Sequence, residues 1–180
     1  MNDVTLSSNY VTQTKVSRAT FIGRYFELMT DQIVVFALDE QPYALPLPAV
    51  VKVIHAVEIT CLPKAPEIIT GIIDVKGQII PVADIRKRFG LPSHEIQPDD
   101  RLIIVQAGLR RIAILVDTVT GIRDLEPRQL ELAAESFPFG QHILGVGKVE
   151  DGLVVIYDLQ RFLSLNEEQE LMDALKSETS

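Results

Sequence analysis

Three histidines, one cysteine and two aspartates in matching settings are the residues of this 180-residue chain best able to do chemistry. His55, His94 and His142 stand far apart, and none has a second ligand at helical or hairpin spacing. Cys61 is the single cysteine and has no CxxC partner, so the sequence spells out no closed zinc site. Asp84 and Asp158 each follow an extended segment and precede "IRKRF" or "LQRFL". An Asp there accepts a hydrogen bond from an unpaired helix amide and complements the helix dipole. A catalytic carboxylate pair would need the two groups about 5–10 Å apart in a cleft, which nothing in the sequence imposes. There is no GxxxxGK[ST] phosphate loop, no GxGxxG after a strand and no GxSxG elbow, and the "GVG" at 145–147 is too short to count. The reading that follows is a non-enzyme, with no cofactor and no metal.

Composition narrows the partners. The 47% of hydrophobic residues can fill a core. No apolar run approaches the ~18 residues that cross a bilayer, and "MNDVTLSSNYVTQTK" lacks a signal peptide's apolar centre, so a cytoplasmic protein is expected. A net charge of -8 argues against nucleic acid as a partner. The one dense basic run, Arg86-Lys87-Arg88, reads as a solvated helix face.

The elements that position these residues are mostly strands. "QIVVFALDEQPYALPL" is a hairpin turning at Asp39-Glu40-Gln41. "AVVKVIHAVEITCLP" is rich in β-branched residues and is expected to run extended to Pro63 after a helical turn near Val50. "KAPEIITG" allows a short helical turn, since Pro66 suits a first helical position. In "GIIDVKGQIIPVADIRKRF" two strands flank Lys76-Gly77. "LPSHEIQPDD" is an exposed connection, and "RLIIVQAG" with "RRIAILVDTVTGI" forms another hairpin. Asn166 is placed as the cap of a last helix whose stripe is Leu171, Met172 and Leu175.

A repeat organises these pieces. A shift of 74 residues lays Gly71 on Gly145, Val75 on Val149 and Asp84 on Asp158, with Ile79, Ile80, Val82 and Ile85 on Leu153, Val154, Ile156 and Leu159. A shift of about 70 overlays the first hairpin on "LIIVQAGLRRIAILV". Two copies of one β-rich unit, too small to bury much surface alone, should pack against a shared seam, and closed barrels would remove their edges.

The segments "FALDEQPYALPLPAVVKVI", "ITGIIDVKGQIIPVADIRKRFG", "ILVDTVTGI" and "LGVGKVEDGLVVIYDLQRFL" resemble, in order and spacing, those of the CheW-like domain family over 31–163. The resemblance implies a mainly β fold of two packed five-stranded SH3-like barrels with a C-terminal helix. It implies an interleaved double barrel over 31–165 and a helix and tail over 166–180; residues 1–30, with "VSRATFIGRYFELMTD", are longer and more apolar than the family's short lead and are expected to be an extension, partly flexible, that adds a strand or a helix. It further implies a chemotaxis adaptor that couples the cytoplasmic tips of methyl-accepting chemoreceptors to the regulatory domain of the histidine kinase CheA, in arrays beneath the inner membrane. Receptor contact carries over to Val50, Lys52, Gly71, Lys76 and Gly77. Two of these depart from the family's habit, which favours Arg at Lys76 and an acid at Lys52. Kinase contact falls to Ile122, Leu125 and Leu144 of the second barrel. Gly71 and Gly77 also read as turn residues needing positive φ. The alternatives are a coupler for a non-flagellar chemosensory pathway, or a double barrel binding a small molecule between its halves.

Overall fold

The structure, a computed structural model, describes residues 31–132, 142–161 and 163–178. The expected extension over 1–30 lies outside the described residues. Eleven strands are seen among them: β1 (Gln32–Leu38), β2 (Gln41–Pro46), β3 (Val50–His55), β4 (Ile69–Val75), β5 (Gln78–Ala83), β6 (Arg101–Ala107), β7 (Arg110–Val116), β8 (Thr118–Asp124), β9 (Leu130–Leu132), β10 (Ile143–Val149) and β11 (Gly152–Tyr157). Helix α1 spans Arg86–Phe89 and helix α2 Leu165–Glu178.

The strands form two sheets, which we call barrels A and B. Barrel A has the order β8-β1-β2-β11-β10-β9 and barrel B the order β3-β6-β7-β5-β4. Three-residue β9 gives barrel A a sixth strand beyond the expected five; in barrel B a bridge between Thr60 and Ile72 ties the chain beyond β3 to β4. The sequence copies are not the barrels. The first copy contributes its hairpin β1-β2 to barrel A and β3, β4 and β5 to barrel B, while the second contributes β6-β7 to barrel B and the rest to barrel A. Each donated hairpin is welded in by a parallel pairing, Tyr43 with Val155 in barrel A and Val82 with Ala113 in barrel B.

The donated hairpins are buried on both faces, which is why they read as continuous apolar runs. On β6 and β7, Leu102, Ile104, Ala113 and Leu115 fill barrel B, while Ile103, Val105, Ile112, Ile114 and Val116 point into the seam between barrels. On β1, Ile33 and Val35 fill barrel A, while Phe36 and Leu38, which alternate to the other face of the strand, point into the seam; the register shift opposite them places its extra residue, Thr120, on β8. Tyr43 from β2 and Tyr157 from β11 pack at 4.9 and 5.6 Å on Phe89, which leaves barrel B in α1, so an aromatic chain also crosses the seam.

Local expectations fail in three places. "KAPEIITG" forms turns and no helix, with the amide of Ile69 donating to the carbonyl of Pro66. The helical turn near Val50 is the 3-10 turn Leu47–Ala49, and β3 ends at His55 instead of running to Pro63. Helix α2 is capped by Ser164, not Asn166: Ser164 Oγ accepts from the amide of Glu167, and Glu167 Oε2 accepts from the Ser164 amide. This reciprocal box satisfies two otherwise orphaned donors. Helix α2 then docks Leu171 and Ala174 on the seam cluster and leaves Met172 exposed.

Candidate interaction surfaces

The basic run opens the site's electrostatics, because it is not a solvated face. Arg86 has 0% exposure; its Nη1 lies 3.4 Å from Asp84 Oδ1, and its Nη2 contacts Asp117. Arg88 clasps Glu167 of α2 through both carboxylate oxygens, at 2.7 and 2.6 Å, and Lys87 Nζ donates to the carbonyl of Glu67. The three cations are therefore fasteners. Asp84 also accepts the Arg86 amide at 3.0 Å, so it supports the start of α1 as expected. Asp158, at the equivalent place after β11, accepts the Arg161 amide through its backbone carbonyl at 3.2 Å. The two aspartates close different barrels and serve structure.

The five residues assigned to receptor contact do not form one patch. Val50 pairs with Val105 and Val53 with Ile103, both seam residues, whereas Lys52 pairs with Ile104 inside barrel B. Directly paired residues share a face, so the bulge between Val50 and Lys52 puts the two on opposite faces of β3. Gly71 is buried near the start of β4, about 17 Å of strand from the tip at Lys76-Gly77. It does not adopt positive φ; a Cβ there would collide with the carbonyl oxygen of Thr60 and with Ile59. The turn reading of Gly71 is thus replaced by one of close backbone approach.

Lys76 and Gly77 do form a tip, with φ of 55° and 81°. Two positive φ values in a two-residue loop suit the twist of a hairpin, and the Gly77 amide donates to Asp74 Oδ1 at 2.6 Å. Because β5 runs parallel to β7, this tip shares one end of barrel B with the Gly108-Leu109 turn and the start of β3. Arg111 ties the two tips through Gln78 at 2.9 Å. Leu109 and Ile79 are exposed at this end together with Lys76 and Arg111, and Val51 is exposed at the start of β3. Sequence reasoning missed Leu109 and Arg111; their signal was the Gly108 turn followed by paired cations. This end carries positive charge and apolar area on an acidic molecule, a combination suited to an acidic, partly apolar partner.

Of the three residues assigned to kinase contact, one has surface to offer. Leu125 and Leu144 are 1% and 3% exposed and pack with Ile33, Val154 and Ile156 inside barrel A. A side chain without surface adds no area to an interface, so both are core residues. Ile122, 52% exposed on the outer strand β8, is the one that remains. The seam itself is filled by side chains from both barrels, and a cavity of about 180 Å³ lined by Ala107, Ile112, Leu159 and Leu163 opens at its margin.

Comparison with known proteins follows the same architecture. The sequence model of the CheW-like domain matches residues 32–167. The chain is similar to the chemotaxis protein CheW of Thermotoga maritima, 29% identical over 132 residues that cover 73% of this chain and 87% of that one. It is also similar to the chemotaxis protein CheW of Klebsiella aerogenes, 24% identical over 149 residues, 82% and 89% of the two chains. Among solved structures, the scaffolding protein TtCheW from Thermoanaerobacter tengcongensis matches with a TM-score of 0.69 and 32% identity, covering 77% of this chain and 91% of that one.

Proposed function

The chain belongs to the CheW-like domain family, and on that premise we propose that it is a non-enzymatic coupling adaptor joining chemoreceptors to the histidine kinase CheA. The observation that carries this reading is the double barrel with a packed seam, alike at 32% identity to a protein described as a scaffold. A rigid body offering separate surfaces on two barrels suits a linker better than a catalyst. None of the described helices is long and apolar enough to cross a membrane, so attachment to receptor arrays beneath the inner membrane is assigned to protein contacts.

Receptor contact is assigned to the end of barrel B that holds Lys76, Gly77 and the seam-facing Val50. The turn makes no demand for a cation at Lys76, so its charge is available for recognition, although a Lys gives a point charge where an Arg gives a planar fork. Kinase contact is assigned to the β8 face around Ile122. The test is co-sedimentation of the full chain with receptor cytoplasmic fragments and the cognate CheA. Retention of both partners is expected, and loss of retention on Lys76→Glu with the fold intact; a chain that pellets with neither partner overturns the reading.

A further inference from the structure

His94, Asp100 and Asp117 converge where the connection after α1 meets the end of barrel B opposite the Lys76 tip. Asp100 immediately precedes β6 and Asp117 follows β7; since Arg101 pairs with Val116, the two aspartates face each other at the end of the ladder. Like charges directly opposed destabilise a strand pair unless something offsets them. His94 Nε2 lies between them, 2.9 Å from Asp100 Oδ2 and 3.7 Å from Asp117 Oδ1. Arg86 contacts Asp117 and Asp84, so one buried guanidinium serves two carboxylates, while Asp100, only 3% exposed, meets His94 and the Gln97 amide instead. Charge removed from water requires a partner, and this arrangement leaves negative charge in excess.

We propose that His94, Asp100 and Asp117 form a binding site for one divalent transition-metal ion of the zinc class. The three ligand atoms lie within 4.8 Å of one another. Metal–ligand bonds of about 2.0–2.2 Å at tetrahedral angles set ligand atoms about 3.3–3.6 Å apart, so the observed separations, from 2.9 Å up to 4.8 Å, require shifts of up to about an ångström. Imidazole with two carboxylates suits zinc, whereas magnesium and calcium favour a fuller set of oxygens. The His94 and Asp117 side chains keep 26% and 23% exposure, which leaves access for a water as fourth ligand. Neighbours already hold the ligands in place: the Gln97 amide donates to Asp100 Oδ2 and the Asp39 amide to Asp117 Oδ2, each at 2.7 Å. Arg86 shares Asp117 Oδ1, and a carboxylate has about four lone-pair sites, enough for all these partners. An ion there replaces the His94–Asp100 hydrogen bond and pins residues 91–99 to the barrel.

The experiment uses the untagged full chain stripped with EDTA, titrated with Zn2+ by calorimetry and with Co2+ by visible absorption. One equivalent of each ion is expected, with tetrahedral cobalt bands. His94→Gln, a change in a half-exposed connection, is expected to weaken binding at least about tenfold while the far-ultraviolet spectrum stays unchanged. Absence of binding by the wild type overturns the proposal and leaves an ion-pair network. Undiminished binding by His94→Gln also overturns it, moving the ion to Cys61, His55 or His142.

Discussion

Gly71 and Gly145 stand 74 residues apart in the sequence and meet the same obstacle: each lies against a backbone carbonyl, that of Thr60 in one barrel and Glu131 in the other. Both also sit at a register shift on the first strand of a hairpin, between Ile69 and Gly71 or between Ile143 and Gly145. Backbone yields less readily than a side-chain tip, so Gly71→Ala and Gly145→Ala should each cost about 1–3 kcal/mol in urea denaturation. Gly77→Ala has nothing within 4 Å and should lose only about 1 kcal/mol, through its positive φ.

Lys76 separates stability from recognition. Its φ of 55° is unfavourable for Lys and easy for Asn, which is common in this turn. Lys76→Asn should therefore raise stability by a few tenths to about 1 kcal/mol while weakening receptor co-sedimentation. Stabilisation with unchanged coupling would show that the charge plays no part in contact.

Arg86 is the most costly side chain to remove. Arg86→Ala strips the buried partner from Asp84 and Asp117, and breaking such a pair costs about 3–5 kcal/mol. Arg86→Lys should recover only part of the loss, since one ammonium cannot serve both carboxylates as the fork does. Chemical denaturation of the two variants measures this.

Glu167 gives the molecule an acid-sensitive clasp. Burial alone would raise its pKa, but hydrogen bonds from Arg88 and from the amide and hydroxyl of Ser164 outweigh it and hold the carboxyl below 4.5. A carboxyl whose folded pKa is depressed contributes stability that is complete above its unfolded pKa and lost as pH falls through the folded one. Below about pH 4.5 the wild type should thus lose stability more steeply than Glu167→Gln, which starts lower at neutral pH and varies less. Urea midpoints across the acid range test the slope.

Ile122 and Leu125 are three residues apart and should respond in opposite ways. Ile122→Asp should reduce association with the CheA regulatory domain and leave the unfolding midpoint within about 0.5 kcal/mol. Leu125→Ala should cost about 2–5 kcal/mol by opening a cavity in barrel A, with any loss of binding tracking the unfolded fraction.

The strands were legible because burial leaves its mark on composition: "IVVFAL", "LIIV" and "IAILV" are apolar without alternation since both faces are covered. The duplication was legible from Gly71, Asp84 and their counterparts. Pairing partners were not, because a periodic pattern reports which way a side chain faces and not which strand lies beside it. The bulge in β3 shows the same limit; one extra residue parts Val50 from Lys52 with no trace in the letters. Arg86 misled for a related reason. Its neighbours Lys87 and Arg88 supported a solvated face, while one of its acids, Asp117, stands 31 residues away. Leu125 and Leu144 read as surface in the sequence because apolar residues near loop ends serve core and interface alike, and only the fold tells them apart.

The reciprocal exchange of hairpins has a bearing on origin. Barrel A and barrel B each join two strands of one copy to the remainder of the other, the relation that two identical chains adopt when they trade an element across a two-fold axis. The molecule is in form a swapped homodimer whose subunits have been fused. A single copy, released from the fusion, could close a barrel only by pairing with a second copy.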